Sequence, residues 1–212
     1  MKNKMITICA VIGLMMCLAS SAVATTIATF ADPSDDGDNP LFTVNMANKL
    51  LTGGWGDDKT GLTLVVYSSP ASTFENAFFT ATDVNITDTV DPWRGYKTEG
   101  GTIKFFADGA DPNVEPLVQI DFDSGWVSLF GYGASNKFSA DGVTISGSEI
   151  DISLTEEEFA FSFANHRPLS GSWSNGYTAT AAFTSSALPE PATILLLGIS
   201  SCFVLPRRKR GK

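Results

Sequence analysis

The chain has 212 residues and a formal charge of −9, but residues 25–186 hold 22 of its 23 acidic side chains against seven cationic ones, a net −15. A stretch that acidic excludes nucleic acid and anionic lipid headgroups as partners by charge repulsion. The cysteines, Cys9, Cys17 and Cys202, all fall outside residues 25–186. That excludes a disulfide, a thiolate nucleophile and a thiolate metal site from the same stretch.

In chain order, Lys2 and Lys4 come first, followed by an apolar run over residues 5–18 and the small residues around Ala22, Val23 and Ala24. Basic, then apolar, then small is the order of a secretory signal. Ala22 and Ala24 stand at the two positions a signal peptidase reads, so residues 1–24 are expected to form a signal helix that directs export and is removed. The apolar run is shorter than the roughly 20 residues of a membrane span.

Residues 25–186 carry 14 of the 15 phenylalanines and all four tryptophans, enough for one apolar core without staples. Apolar residues alternate with period two over residues 62–67, 84–87, 102–106, 117–122, 126–130, 143–146, 149–154, 159–163 and 177–183. Between them sit turn formers: Asp57-Asp58, Asp91-Pro92, Gly100-Gly101, Asp108-Gly109, Ser124-Gly125, Asp141-Gly142 and Asn175-Gly176. Strands with one apolar and one polar face belong in packed antiparallel sheets. The pattern predicts an all-β domain, a jelly-roll-like antiparallel β-sandwich of about eight to ten strands. Two short helical segments are also expected. Phe42, Met46 and Leu50 recur at helical spacing, and Thr155 to Glu158 resembles a capping box.

The chemistry-bearing residues are few. His166, the one histidine, is expected in a loop after a strand, and the domain contains no Gly-x-Ser-x-Gly elbow. No catalytic set and no zinc site is read from this inventory, and the domain is expected to be non-enzymatic. Asp121 and Asp123 share a strand face, a pairing that a glycosidase could use but that is commonplace among so many acids. Asp32, Ser34, Asp36 and Asp38 match the early positions of a calcium loop, with Gly37 at the sixth, but Thr43 replaces the bidentate glutamate at the twelfth. A looser Ca²⁺ site there, or one built from Asp108, Asp111 and Glu115, stands open beside a solvated acidic turn. Trp55 and Trp93 lie in turn-like contexts and are candidate stacking surfaces for sugars. Trp126, on a strand, reads as core.

The end of the chain has three parts in order. Pro189-Glu190-Pro191 comes first, then an apolar stretch expected to be helical over about 192–206, then Arg207, Arg208, Lys209 and Arg210. The apolar stretch is shorter than the roughly 20 residues of a comfortable span, but with the arginines snorkelling it is expected to enter a bilayer, the basic cluster staying on the cytoplasmic side. The prolines stop the helix and leave an extended peptide at the outer face. Residues 187–212 resemble the PEP-CTERM sorting signal. The resemblance covers this tail alone and rests on the three parts together with the Pro191-Ala192-Thr193-Ile194 continuation. It implies recognition of Pro189, Glu190 and Pro191 by an exosortase-type membrane enzyme. It also implies membrane anchoring through the C-terminus before processing, and delivery to the cell surface or extracellular polysaccharide matrix. The expectation for the whole chain is therefore an exported structural protein of the surface or matrix. A carbohydrate-binding module is the alternative, and an extracellular hydrolase is the least favoured reading.

Overall fold

The structure, a computed structural model, describes residues 24–31, 40–55, 61–67, 70–137 and 139–189. The signal segment, the 32–38 acidic cluster and everything after Pro189 lie outside the described residues, and so do the two terminal helices expected there. Twelve strands run in order: β1 (Thr25–Phe30), β2 (Phe42–Asn45), β3 (Leu50–Trp55), β4 (Leu62–Val66), β5 (Ser72–Ala81), β6 (Val84–Asp91), β7 (Gly95–Phe106), β8 (Val118–Ser128), β9 (Gly131–Ser135), β10 (Thr144–Ser146), β11 (Leu154–Pro168) and β12 (Gly176–Pro189). The described fold is all-β and every pairing is antiparallel, as the period-two patterning predicts. Its only helical pieces are two single 3₁₀ turns, Leu169–Gly171 and Trp173–Asn175. Among the described residues no helix is long and apolar enough to cross a membrane.

The strands form one hydrogen-bonded sheet that closes on itself. The circuit runs β1–β4–β5–β7–β8–β9–β11–β12 and returns to β1. Closure leaves few bare edges to recruit other chains. The hairpin of β2 and β3 fills the other half of the gap between β12 and β5. Inside the circuit the alternate residues are aromatic. Phe159, Phe161 and Phe163 point inward from β11, as their spacing predicts, and Phe161 meets Phe42 at 4.7 Å, Phe183 at 4.9 Å and Phe79 at 5.8 Å. Phe105 meets Phe183 at 4.8 Å, joining β7 to β12.

Several expected elements are corrected. The helix over residues 42–50 is instead a hairpin. Phe42 and Val44 are buried on alternate positions of β2, the chain turns over residues 46–49, and β3 pairs back in register. Asn45 Oδ1 accepts from the Asn48 backbone N–H at 3.0 Å, and Lys49 takes the left-handed conformation that completes the turn. The capping box at Thr155 to Glu158 is a bulge in β11, with Glu156 at φ 51. Residues 149–153 are loop, and Ile152 is exposed.

Two expected turns prove to be strand interior. Gly100 and Gly101 lie inside β7, and Ser124 and Gly125 lie inside β8. Their missing side chains make room: a Cβ on Gly125 would stand 3.0 Å from Tyr132 Cε2, and one on Gly101 2.7 Å from Val84 Cγ1.

Candidate functional site

The outer face of β8, β9, β11 and β12 is stepped in three rows that follow from strand register. One row runs Ser128, Gly131, Ser162 and Ala182. The next runs Trp126, Gly133, Ala160 and Thr184, and the third Ser135, Glu158 and Ser186. Glycine, alanine and serine fill most of these rows, with Trp126 at one margin and Glu158 closing the third row, so the face is a trough. Its volume is about 580 Å³, and Phe130, Arg94, Ser139 and Asp141 complete its walls.

The two glycines set the depth of this trough. A Cβ on Gly131 would run into the Phe161 carbonyl oxygen, and one on Gly133 into that of Phe159. Gly131→Ala and Gly133→Ala are each expected to cost about 1–3 kcal/mol of stability by overpacking. Urea denaturation checks this, and unchanged midpoints would show that β9 shifts freely.

Each wall is positioned by identifiable contacts. Asp91 Oδ1 accepts from the backbone N–H groups of Trp93 (2.8 Å) and Arg94 (3.0 Å), fixing the β6–β7 turn. That turn sends Arg94 across the trough: its Nη1 donates to Ser139 Oγ at 2.5 Å, and its guanidinium lies 5.5 Å from the Trp126 ring centre. Glu158 accepts from Ser135 Oγ at 3.2 Å and from Ser186 Oγ at 2.5 Å. The loop between β9 and β10 is braced by Asn136, whose Oδ1 accepts from the Val143 N–H at 2.7 Å and whose Nδ2 donates to Val143 O and Glu157 Oε2. This loop delivers Asp141, which is only 3% exposed. Asp141 Oδ1 accepts from Ser124 Oγ at 2.8 Å, while Asp141 Oδ2 has no hydrogen-bond partner in the protein. Trp126 Nε1 is buried and has none either. A buried acceptor and a buried donor left open on one trough are costly unless something else meets them.

Comparison with protein-family models, with curated proteins and with solved structures returned no match. The reading of this site therefore rests on its geometry.

The structure separates the residues singled out from the sequence. Trp55, expected in an exposed turn, is 6% exposed at the end of β3 and packs in the core. A ring so enclosed has no free face for a sugar. Trp93 is 93% exposed, next in sequence to Arg94. Trp126, read as core, lines the trough instead. His166 lies within β11 rather than in a loop, between the rings of Phe163 (6.5 Å) and Tyr177 (5.4 Å), and does not line the trough. Asp121 accepts from Thr102 Oγ1 at 2.6 Å and from Gln119 Nε2 at 2.7 Å, so both of its oxygens brace the sheet. Asp111 holds the backbone N–H and side-chain amide of Asn113. Among the described residues no three His, Cys, Asp or Glu side chains are grouped to share a metal. Of the sorting motif, Pro189 ends β12 opposite Leu154, while Glu190, Pro191 and the basic cluster lie outside the described residues, as does Ala22. Ala24 is the first described residue and is exposed.

Phe130, Arg94, Asp141 and Glu158 escaped the sequence reading. The only trace was Gly131 and Gly133 alternating beside an aromatic pair, a pattern indistinguishable from a turn.

Proposed function

We propose that this chain is an exported protein of the cell surface or extracellular matrix whose β domain acts by binding rather than by catalysis. The trough carries the reading. It is an open face of a sheet, floored by small residues and rimmed by hydroxyls. Of its carboxylates, Glu158 is committed to two serines, and the one histidine is elsewhere. We read the closed strand circuit as two facing walls, a β-sandwich of jelly-roll size. The Phe79–Phe161 and Phe105–Phe183 contacts, which join strands on opposite sides of the circuit, support that reading.

The address belongs to the tail. Pro189, Glu190 and Pro191 are the recognition peptide of an exosortase-type enzyme, the helix of about residues 192–206 holds the bilayer, and Arg207 to Arg210 fix its orientation. Trp93, Phe130 and Trp173, all exposed, lie where the β6–β7, β8–β9 and β11–β12 turns gather, and β12 runs from there to Pro189 at the opposite end. Polysaccharide of the matrix is the partner favoured by the exposed aromatics and the hydroxyl-rich trough.

Replacing Pro189, Glu190 and Pro191 by alanine in the full chain tests the address. The native chain is expected to reach the surface fraction of its host with a shortened C-terminus by mass spectrometry. The variant should accumulate uncut in the membrane fraction. Identical fractionation and mass for both would remove the sorting reading.

A further inference from the structure

We propose that the trough on β8, β9, β11 and β12 is the binding site for a neutral glycan chain. The proposal rests on the surface-binding reading and narrows it to one site and one ligand class. Phe130, 86% exposed at the trough wall, offers a ring for a sugar face to stack on. Asp141 Oδ2 and Trp126 Nε1 are buried beside the trough without a partner in the protein, and a sugar hydroxyl that reaches them after a small side-chain shift supplies a donor for the first and an acceptor for the second. A hydroxyl is both donor and acceptor, so one class of group answers both open positions. Arg94, exposed and tied to Ser139, covers the Trp126 ring, and a sugar ring taking its place keeps that face in contact while reaching the indole edge.

Ligands of other chemistry fit less well. An extended peptide gains affinity by adding backbone hydrogen bonds to a sheet edge, whereas here the strands under the trough are paired on both sides. An acidic polysaccharide meets Glu158, Asp141 and a stretch of net charge −15. A neutral chain avoids that repulsion and still offers a partner to Asp141 and Trp126.

The test titrates the full chain, purified in detergent, with cellohexaose, mannohexaose, chitohexaose and an alginate hexamer. Tryptophan fluorescence and calorimetry give the affinities. At least one neutral hexamer is expected to bind saturably and the alginate hexamer not to bind. Phe130→Ala and Asp141→Asn should each weaken binding roughly tenfold, the loss expected from a stacking ring or one buried hydrogen bond. Val114→Ala, exposed on the β7–β8 loop at the opposite end of the strands, should leave affinity unchanged. Asp141→Asn keeps the oxygen facing Ser124; if that variant fails to fold, Phe130→Ala on the exposed rim decides alone. The proposal is overturned if no neutral hexamer binds, if only alginate binds, or if affinity survives both substitutions. Survival of both with loss in Trp93→Ala would move the glycan to the β6–β7 turn, leaving the binding reading intact and the trough assignment wrong. Shortening of a hexamer during incubation would overturn the binding reading itself.

Discussion

Replacing Phe161 by alanine is expected to lower the stability of the domain by about 3–5 kcal/mol, the usual cost of emptying an enclosed aromatic site. The ring is 1% exposed and packs against Phe30, Phe42, Phe79, Phe159 and Phe183, which come from β1, β2, β5, β11 and β12. Truncation therefore loses contact with several elements of the closed circuit at once, and no single neighbour can move in without leaving another. Without a disulfide in residues 25–186, the core is the main source of cohesion. A domain of this size holds about 5–15 kcal/mol in all, so a large share is at stake. The midpoint of thermal unfolding should fall by roughly 6–20 °C. Urea denaturation of both proteins measures the difference, and a loss below about 1 kcal/mol would mean that the ring is not enclosed as described.

Alkaline pH is the second large effect. Burial holds the phenols of Tyr132 and Tyr177 well above the ordinary tyrosine range. Tyr132 sits in the aromatic core beside the Thr98 side chain, and Tyr177 Oη donates to Ser128 O at 2.5 Å. The sign follows from which state keeps its protons. Below pH about 10 both phenols are neutral in the folded and the unfolded chain, and the full stability is present. Above it the unfolded tyrosines ionise while the buried ones do not, so the folded state binds more protons and stability falls as pH rises. Unfolding is therefore expected to set in progressively above pH 10. The phenolate absorbance of these two residues should rise together with loss of the sheet circular dichroism. Tyr132→Phe removes one of the two ionising groups and should shallow the decline between pH 9 and 11. An unchanged slope in that variant would show that Tyr132 does not couple folding to pH.

Sequence alternation revealed the fold class because the inward rows are nearly pure: Phe159, Phe161 and Phe163 on β11, and Val118, Ile120 and Phe122 on β8. It mislocated turns wherever glycine was present for packing. Gly53 resembled a turn next to Trp55, yet it pairs with Phe42, and the Phe42 ring covers the space its Cβ would fill. Gly125 similarly makes room for Tyr132. Local sequence shows that a side chain is missing but not which distant ring has taken its place. The apparent helix over residues 42–50 misled for a related reason: Phe42, Met46 and Leu50 fit a helix face, and the rings of Phe161 and Phe163 that Phe42 packs against in the core lie more than a hundred residues away in β11. The trough was illegible because its walls come from β8, β9, β11, the β6–β7 turn and the β9–β10 loop, segments that only the strand register brings together. The tail's order of proline, apolar and basic parts, by contrast, is local and can be read directly from sequence.

The most direct measurement is co-sedimentation of the full chain with the extracellular polysaccharide of its own host. The native protein is expected in the pellet, with Phe130→Ala largely in the supernatant and Val114→Ala, on the far β7–β8 loop, behaving like the native chain. A native chain left in the supernatant, or a Phe130→Ala variant that pellets equally well, would contradict the account of this β domain as a surface glycan-binding module.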